Sequence, residues 1–309
     1  MGKRQLHIGM LGTRGIPNNY GGFEQCAEFL SQALVERGHK VVVYCSDHDG
    51  SGEKNWNGVD LVYCRDPEQQ MGAAGQFVYD LMCIRHARKM NYDVIIQFGY
   101  TSSSLWWRFW PRAKHIVNMD GMEFKRSKYS TAVKRFLEFA EKWATRRADV
   151  LVADNPEIES YLSAKYPASA VKYISYGATV PSEHVGSSRI ESELNLLSTN
   201  YDLVISRMEP ENNVELIIQA HCAATNDRSL VILGGTNNQY GQRLVKDYGD
   251  SVMFLGGIYD MDLVDELRFN CHWYLHGHSV GGTNPSLLEA MATAPRILAH
   301  DNPFNRSVL

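Results

Sequence analysis

The chain carries no covalent staple, no membrane span and no excess of one charge. Its six cysteines (Cys26, Cys45, Cys64, Cys83, Cys222 and Cys271) are scattered over 309 residues, and none forms a CxxC pair. A disulfide framework and zinc-finger spacing are therefore not expected. No apolar run approaches the ~18–20 residues that cross a bilayer. The opening segment, MGKRQLHIGMLG, has no signal-peptide core, and Leu6 stands where a myristoylation signal wants Ser or Thr. Lys and Arg number 31 against 35 Asp and Glu, a net charge of −4, which argues against a global nucleic-acid footprint and leaves local basic patches open. The expectation is a reduced, cytoplasmic protein. At 44% apolar and 21% charged residues, the composition is that of an ordinary globular chain.

Two motifs are also missing. Gly9-x-x-Gly12-x-x-Gly15 is not the dinucleotide fingerprint, and no acidic residue ends the second strand; Asp47 comes too late. A nicotinamide oxidoreductase is therefore a weak rival. No DxD sits at a strand end. His276 and His278 lack a third ligand nearby, so structural or substrate-contacting roles are preferred and no metal is expected.

What is present is alternation. Short apolar strands at 6–12, 41–45, 59–64, 93–99, 115–119, 149–154 and 171–177 are separated by helix-period segments near 23–37, 73–89, 102–110, 129–147 and 156–165. Residues 181–200 are polar, Ser-rich and weakly patterned, and read as a linker with a short helix. The alternation restarts with strands at 201–206, 230–235, 252–257, 272–277 and 296–300 and helices near 211–224, 238–248, 259–269 and 285–293. Repeated βα units make parallel sheets covered on both faces. The expectation is an α/β protein of two doubly wound, Rossmann-like domains, 1–181 and 182–309, facing a cleft, with ligands at the carboxyl ends of the strands.

Four segments carry candidate chemistry. The loop after the first strand, GMLGTRGIPNNYGGFEQ, places Gly12, Gly15, Gly21, Gly22 and Glu24 between a strand and a helix. Glycine there lets backbone amides approach a phosphate or sugar, or simply allows tight packing. NMDGMEFKRSKYS, after the strand at 115–119, projects Asp120, Glu123, Lys125 and Arg126, which suit a sugar and an anionic leaving group or form a solvated loop. In the second half, Arg207 lies just past a strand and can hold a diphosphate. HGHSVGGTNPSLLEAMA then leads from His276 and His278 through Gly281, Gly282, Thr283 and Asn284 into a helix whose first amides can take a phosphate, with Glu289 one turn in to hold a ribose diol. Separately, SLWWRFWPRAK at 104–114 and the basic run at 125–147 read either as a membrane surface or as core tryptophans beside a charged helix that Glu138 and Glu141 dilute.

These motifs, in this order, resemble the family-four retaining glycosyltransferases of the GT-B fold. Arg207-Met208 matches the family's Arg-Leu, and Leu288-Glu289-Ala290-Met291 matches its Leu-Glu-Ala-Met. GTRGIPNNYGGFEQ and DGMEFKR resemble a bacterial subgroup that includes rhamnosyltransferases of capsule and cell-wall polysaccharide. The family's phosphate-binding lysine falls at Asn212 and the first glutamate of its pair at Gly281. The chain stops at NPFNRSVL, where family members continue, so the second domain is expected to be truncated.

The resemblance implies transfer of a sugar from a nucleotide-diphosphate donor, without a further cofactor, to a glycan or lipid-linked acceptor, and the basic and aromatic stretch adds the expectation of a peripheral place on the inner face of the plasma membrane. Arg207, Asn212, Gly281 to Asn284 and Glu289 would bind the donor. Asp120 and Glu289 would be the catalytic residues, Asp120 orienting the reacting sugar or acceptor and Glu289 holding the ribose, with Glu123, Lys125, Arg126 and His278 touching sugar or acceptor. The departures Asn212 and Gly281 keep open a rival that binds a nucleotide sugar without turnover.

Overall fold

The computed structural model describes residues 4–48, 52–125, 129–181, 186–224 and 227–309. The chain divides into two compact units, one reaching Phe124 and including Tyr129–Ser175, the other Tyr176–Leu309.

The first unit begins with β1 (His7–Leu11), α1 (Gly22–Glu36), β2 (Lys40–Ser46), the antiparallel pair β3 (Asn55–Trp56) and β4 (Val59–Cys64), then α2 (Glu68–Met71) and α3 (Ala73–Ala87). β5 (Val94–Phe98), β6 (Lys114–Asn118), α4 (Thr131–Arg147), β7 (Val150–Ala153), α5 (Pro156–Lys165) and β8 (Val171–Tyr173) complete it. The sheet order is β3-β4-β2-β1-β5-β6-β7-β8. Apart from β3, all neighbours are parallel.

β2 reads KVVVYCS and is buried at every position but the first, as a strand covered on both faces must be. α1 packs Ala27, with Phe23, Cys26, Leu30 and Leu34, onto Met10, Val41, Val43 and Cys45. It ends where Gly38, at φ 86°, donates to the Val35 carbonyl and His39 donates to that of Leu34, the paired closure only a left-handed residue permits.

The second unit carries α6 (Ser188–Leu194), β9 (Tyr201–Ile205), α7 (Val214–Ala223), β10 (Ser229–Leu233), α8 (Gln239–Tyr248), β11 (Met253–Gly256), α9 (Met261–Asn270), β12 (Tyr274–His276), α10 (Pro285–Thr293), β13 (Ile297–Ala299) and α11 (Pro303–Arg306). Its sheet runs β11-β10-β9-β12-β13. Adjacent residues feed opposite faces. Leu203 and Val231 join Leu263, Leu267 and Ala290 on one side, while Val204 and Ile232 join Val214, Ile218 and Leu244 on the other.

Asn-Pro recurs before α5, α10 and α11. Each time the asparagine side chain accepts an amide of the first turn and the proline fills a position whose N–H would be unpaired.

Three expectations shift in detail. The stretch near 102–110 is a 3₁₀ helix, Ser103–Phe109, that stops before Pro111. The helix near 211–224 is split into a 3₁₀ turn, Pro210–Asn212, and α7, because Asn213 takes φ 53° between them. The β3–β4 hairpin was not anticipated, although its Asn57-Gly58 turn, with φ 49° and 84°, is a strong hairpin signal.

Candidate active-site residues at two sheet edges

In the second unit the chain leaves central β9 for β10 on one side and returns to β12 on the other. Loops that part at such a reversal leave a crevice at the carboxyl ends of the strands. Both predicted donor segments start there, Arg207 after β9 and Gly277–Asn284 after β12.

Hydrogen bonds knit the two loops together. The amide and Oγ of Ser279 donate to the Glu211 carbonyl at 3.0 and 2.7 Å, and Asn213 Nδ2 donates to the Gly277 carbonyl at 2.8 Å. A Cβ on Gly277 would lie 2.3 Å from the Asn212 carbonyl, so only glycine permits this approach. Asn212 is buried and its Nδ2 donates to the Arg207 carbonyl at 2.9 Å. It therefore shapes the loop instead of extending toward solvent as a lysine would.

The Arg207 side chain is exposed, and no ion pair engages it among the described residues. Gly281 adopts φ 132°, and neither its amide nor that of Gly282 is donated to another group among the described residues. Thr283 is buried. Asn284 Oδ1 accepts from the Ser286 amide at 3.1 Å and from its Oγ at 2.8 Å, capping α10. The unbonded amides therefore lie just ahead of a helix N-terminus, where anions are favoured.

Glu289, one turn into α10, is gripped by Arg268, which also binds Asp265 at 3.0 Å. His276 and His278 stack at 4.3 Å, and both His276 nitrogens are buried with no partner among the described residues. Burial, with His300 nearby, pushes the His276 pKa down to about 4. The His278 carbonyl is fixed by Asn302 and Asn305.

In the first unit the reversal lies between β1 and β5. Gly12 has φ 89°, and a Cβ there would stand 2.1 Å from the Phe98 carbonyl. Gly15, at φ 125°, packs on Cys45. Gly21 precedes α1 in extended backbone and Gly22 opens it. Glu24 is buried and accepts the Arg14 amide at 2.7 Å. The Arg14 guanidinium binds Asp66 at 2.5 Å and also Glu68, between the rings of Tyr20 and Tyr79.

A cavity of about 230 Å³ opens beside this loop, lined by Gly15, Tyr20, Glu24, Glu53, Trp56 and Tyr63 among others. Further along the edge, Gly99 donates to the Asn118 carbonyl at 3.0 Å and Asn118 Oδ1 accepts the Asp120 amide at 3.0 Å. Asp120 itself takes φ 52° and is half-buried. Glu123 and Lys125 belong to a short 3₁₀ turn, and Arg126 lies outside the described residues.

Residues 5–179, more than half of the chain, match the family model described as Domain of unknown function (DUF1972). The chain belongs to that family. Residues 189–309 match the model described as Glycosyl transferases group 1, so the DUF1972 segment is followed by a group 1 glycosyltransferase domain.

Solved structures agree on the fold. Sucrose-phosphate synthase from Thermosynechococcus elongatus matches with a TM-score of 0.76 at 17% identity, over 96% of this chain and 81% of that one. Anabaena HepE in complex with UDP and glucose gives 0.69 at 18% identity, over 97% and 82%. Trehalose 6-phosphate synthase from Burkholderia multivorans gives 0.69 at 11% identity, over 96% and 83%. No curated protein matches the chain. The fold is the α/β GT-B type, with parallel sheets.

In the group 1 domain, Arg207, Asn212, Gly281, Gly282, Thr283, Asn284 and Glu289 all come from the β9 and β12 edges or the helix that follows. In the DUF1972 segment, Gly12 to Glu24 lie at the end of β1, and Asp120 with Glu123 at the end of β6. The Arg14 cluster and Arg268 were not foreseen, because their partners are far away in sequence. Among the described residues no group of three His, Cys, Asp or Glu could hold a metal ion.

The DUF1972 segment also buries Asp80, whose carboxylate accepts from Ser102 Oγ at 2.5 Å. Burial raises its pKa to about 6. The folded chain thus holds this proton more tightly than the unfolded chain, and stability is lost as pH rises from the ordinary carboxylate range through 6. The cost above that range is on the order of 3 kcal/mol. Asp80→Asn is expected to stabilise the chain by about 1–3 kcal/mol at pH 8 and to have little effect near pH 4. Urea unfolding at the two pH values checks it, and an equal effect at both contradicts it.

Proposed function

We propose that this group 1 glycosyltransferase moves a sugar, rhamnose in the reading taken from its sequence, from a nucleotide-diphosphate donor to a glycan or lipid-linked acceptor. The setting is bacterial surface polysaccharide synthesis at the inner face of the plasma membrane, and the anomeric configuration is retained. The observation that carries this is the β9–β12 edge, where an exposed Arg207 and the Gly281 and Gly282 amides ahead of α10 meet no ion pair or hydrogen-bond acceptor among the described residues.

Negative charge grows on the diphosphate as the sugar–oxygen bond breaks. A fixed cation and preset amides stabilise that charge without reorganising. Glu289, oriented by Arg268, holds the ribose of the donor. The same reading gives Asp120 and Glu123 a part in orienting the reacting sugar or acceptor.

The test is transfer from labelled dTDP-rhamnose and UDP-sugars to bacterial glycolipid extract, with product separated by chromatography. A labelled glycolipid together with released nucleoside diphosphate is the expected result. Donor binding with no transfer to any acceptor would favour a nucleotide-sugar-binding protein without turnover. Asn212, committed to the loop where the family places a lysine, is the observation on that side.

A further inference from the structure

The 3₁₀ helix Ser103–Phe109 packs against both α3 and α4, so these three elements form one cover on the sheet of the first unit. The cover is unusual in charge. Residues 85–89, 103–114 and 131–149 hold eleven Lys and Arg against three acidic residues, leaving 20 against 32 for the rest of the chain.

It is also unusual in apolar exposure. Leu105 is 40% exposed, Trp107 36%, Phe109 47% and Phe139 58%. Arg135, Phe139, Lys142 and Arg146 follow at spacings of four, three and four, one solvent-facing stripe of α4, while Leu137, Ala140, Glu141 and Ala144 are buried. The Arg108 guanidinium lies 5.5 Å from the Trp107 ring and that of Arg88 lies 5.8 Å from Phe109. Trp110 is buried with its Nε1 donating to the Ser103 carbonyl, and Trp106 donates to that of Phe77, so these two tryptophans anchor the 3₁₀ helix that displays the third.

We propose that this face docks the chain on an anionic bilayer, with the basic groups at lipid headgroups and Leu105, Trp107, Phe109 and Phe139 entering the interface. A nucleic acid would satisfy the cations but offers the four apolar tips no apolar phase to enter, and they gain only where they leave water. The inference rests on the membrane-side part of the proposed function and adds the surface that makes it physical. It does not depend on the donor site.

The test is co-sedimentation of the full chain with sucrose-loaded vesicles of phosphatidylcholine alone or of phosphatidylcholine and phosphatidylglycerol in equal parts. Binding to the anionic vesicles only is expected. Removing one Lys or Arg near the surface weakens binding by roughly fivefold, so the triple variant R135E/K142E/R146E is expected to lose about a hundredfold or more. The W107S/F139S variant is expected to lose about tenfold and to be washed off by salt. Circular dichroism checks that both variants are folded, and titration with a nucleoside diphosphate reads the donor site separately. A folded wild-type chain left in the supernatant would overturn the proposal. So would undiminished binding by either variant, the second pointing to a generic polyanion.

Discussion

Arg207→Ala is expected to weaken binding of a nucleoside diphosphate by about 10- to 100-fold without changing stability. The side chain is exposed at the end of β9 and no ion pair engages it among the described residues, so its removal costs little packing. Surface changes of that kind stay within about 0.5 kcal/mol. A guanidinium that binds phosphate contributes about 1.5–3 kcal/mol through charge-assisted hydrogen bonds. Isothermal titration alongside urea unfolding separates the two quantities. An unchanged affinity would remove Arg207 from the donor site, and a large loss of stability would mean that it supports the fold.

Arg268→Met is expected to have the largest effect on stability, about 3–5 kcal/mol, because it leaves the Glu289 carboxylate without its cation. Arg268 is 2% exposed, and Glu289 is mostly buried. Asp265 is partly solvated and can keep its charge in water. The double variant R268M/E289L is expected to recover much of that loss, since replacing a buried pair by apolar groups is often neutral. The same double variant is expected to bind nucleotide poorly, because the carboxylate proposed to hold the ribose is gone. Recovery of stability without recovery of binding would separate the two roles of Glu289. Equal loss in single and double variants would contradict the account of the pair.

The strands and their order of alternation were legible because parallel strands covered on both faces read as apolar runs such as VVVYC. Arg207 and the glycines at 281 and 282 were legible as candidates because position just past a strand is itself chemical information in a doubly wound sheet. The role of Asn212 was not. The family pattern places a lysine there, and only the 2.9 Å bond to the Arg207 carbonyl shows that a short carboxamide serves the loop. Arg268 was equally hidden, 21 residues before Glu289 on a different helix, as was Arg14, 52 residues before Asp66. Such pairs leave no periodic trace. The Asn57-Gly58 turn is a hairpin signal in itself, but the two-residue strand before it is too short to show alternation.

The most direct test of the donor site is calorimetric titration of the full chain with UDP, dTDP, UDP-glucose and dTDP-rhamnose, repeated with Arg207→Ala. Saturable binding of one nucleoside diphosphate and its sugar by the wild-type chain, reduced about 10- to 100-fold by the substitution, is the predicted result. A folded wild-type chain that takes up none of the four would contradict the assignment of the β9–β12 crevice as a nucleotide-sugar site.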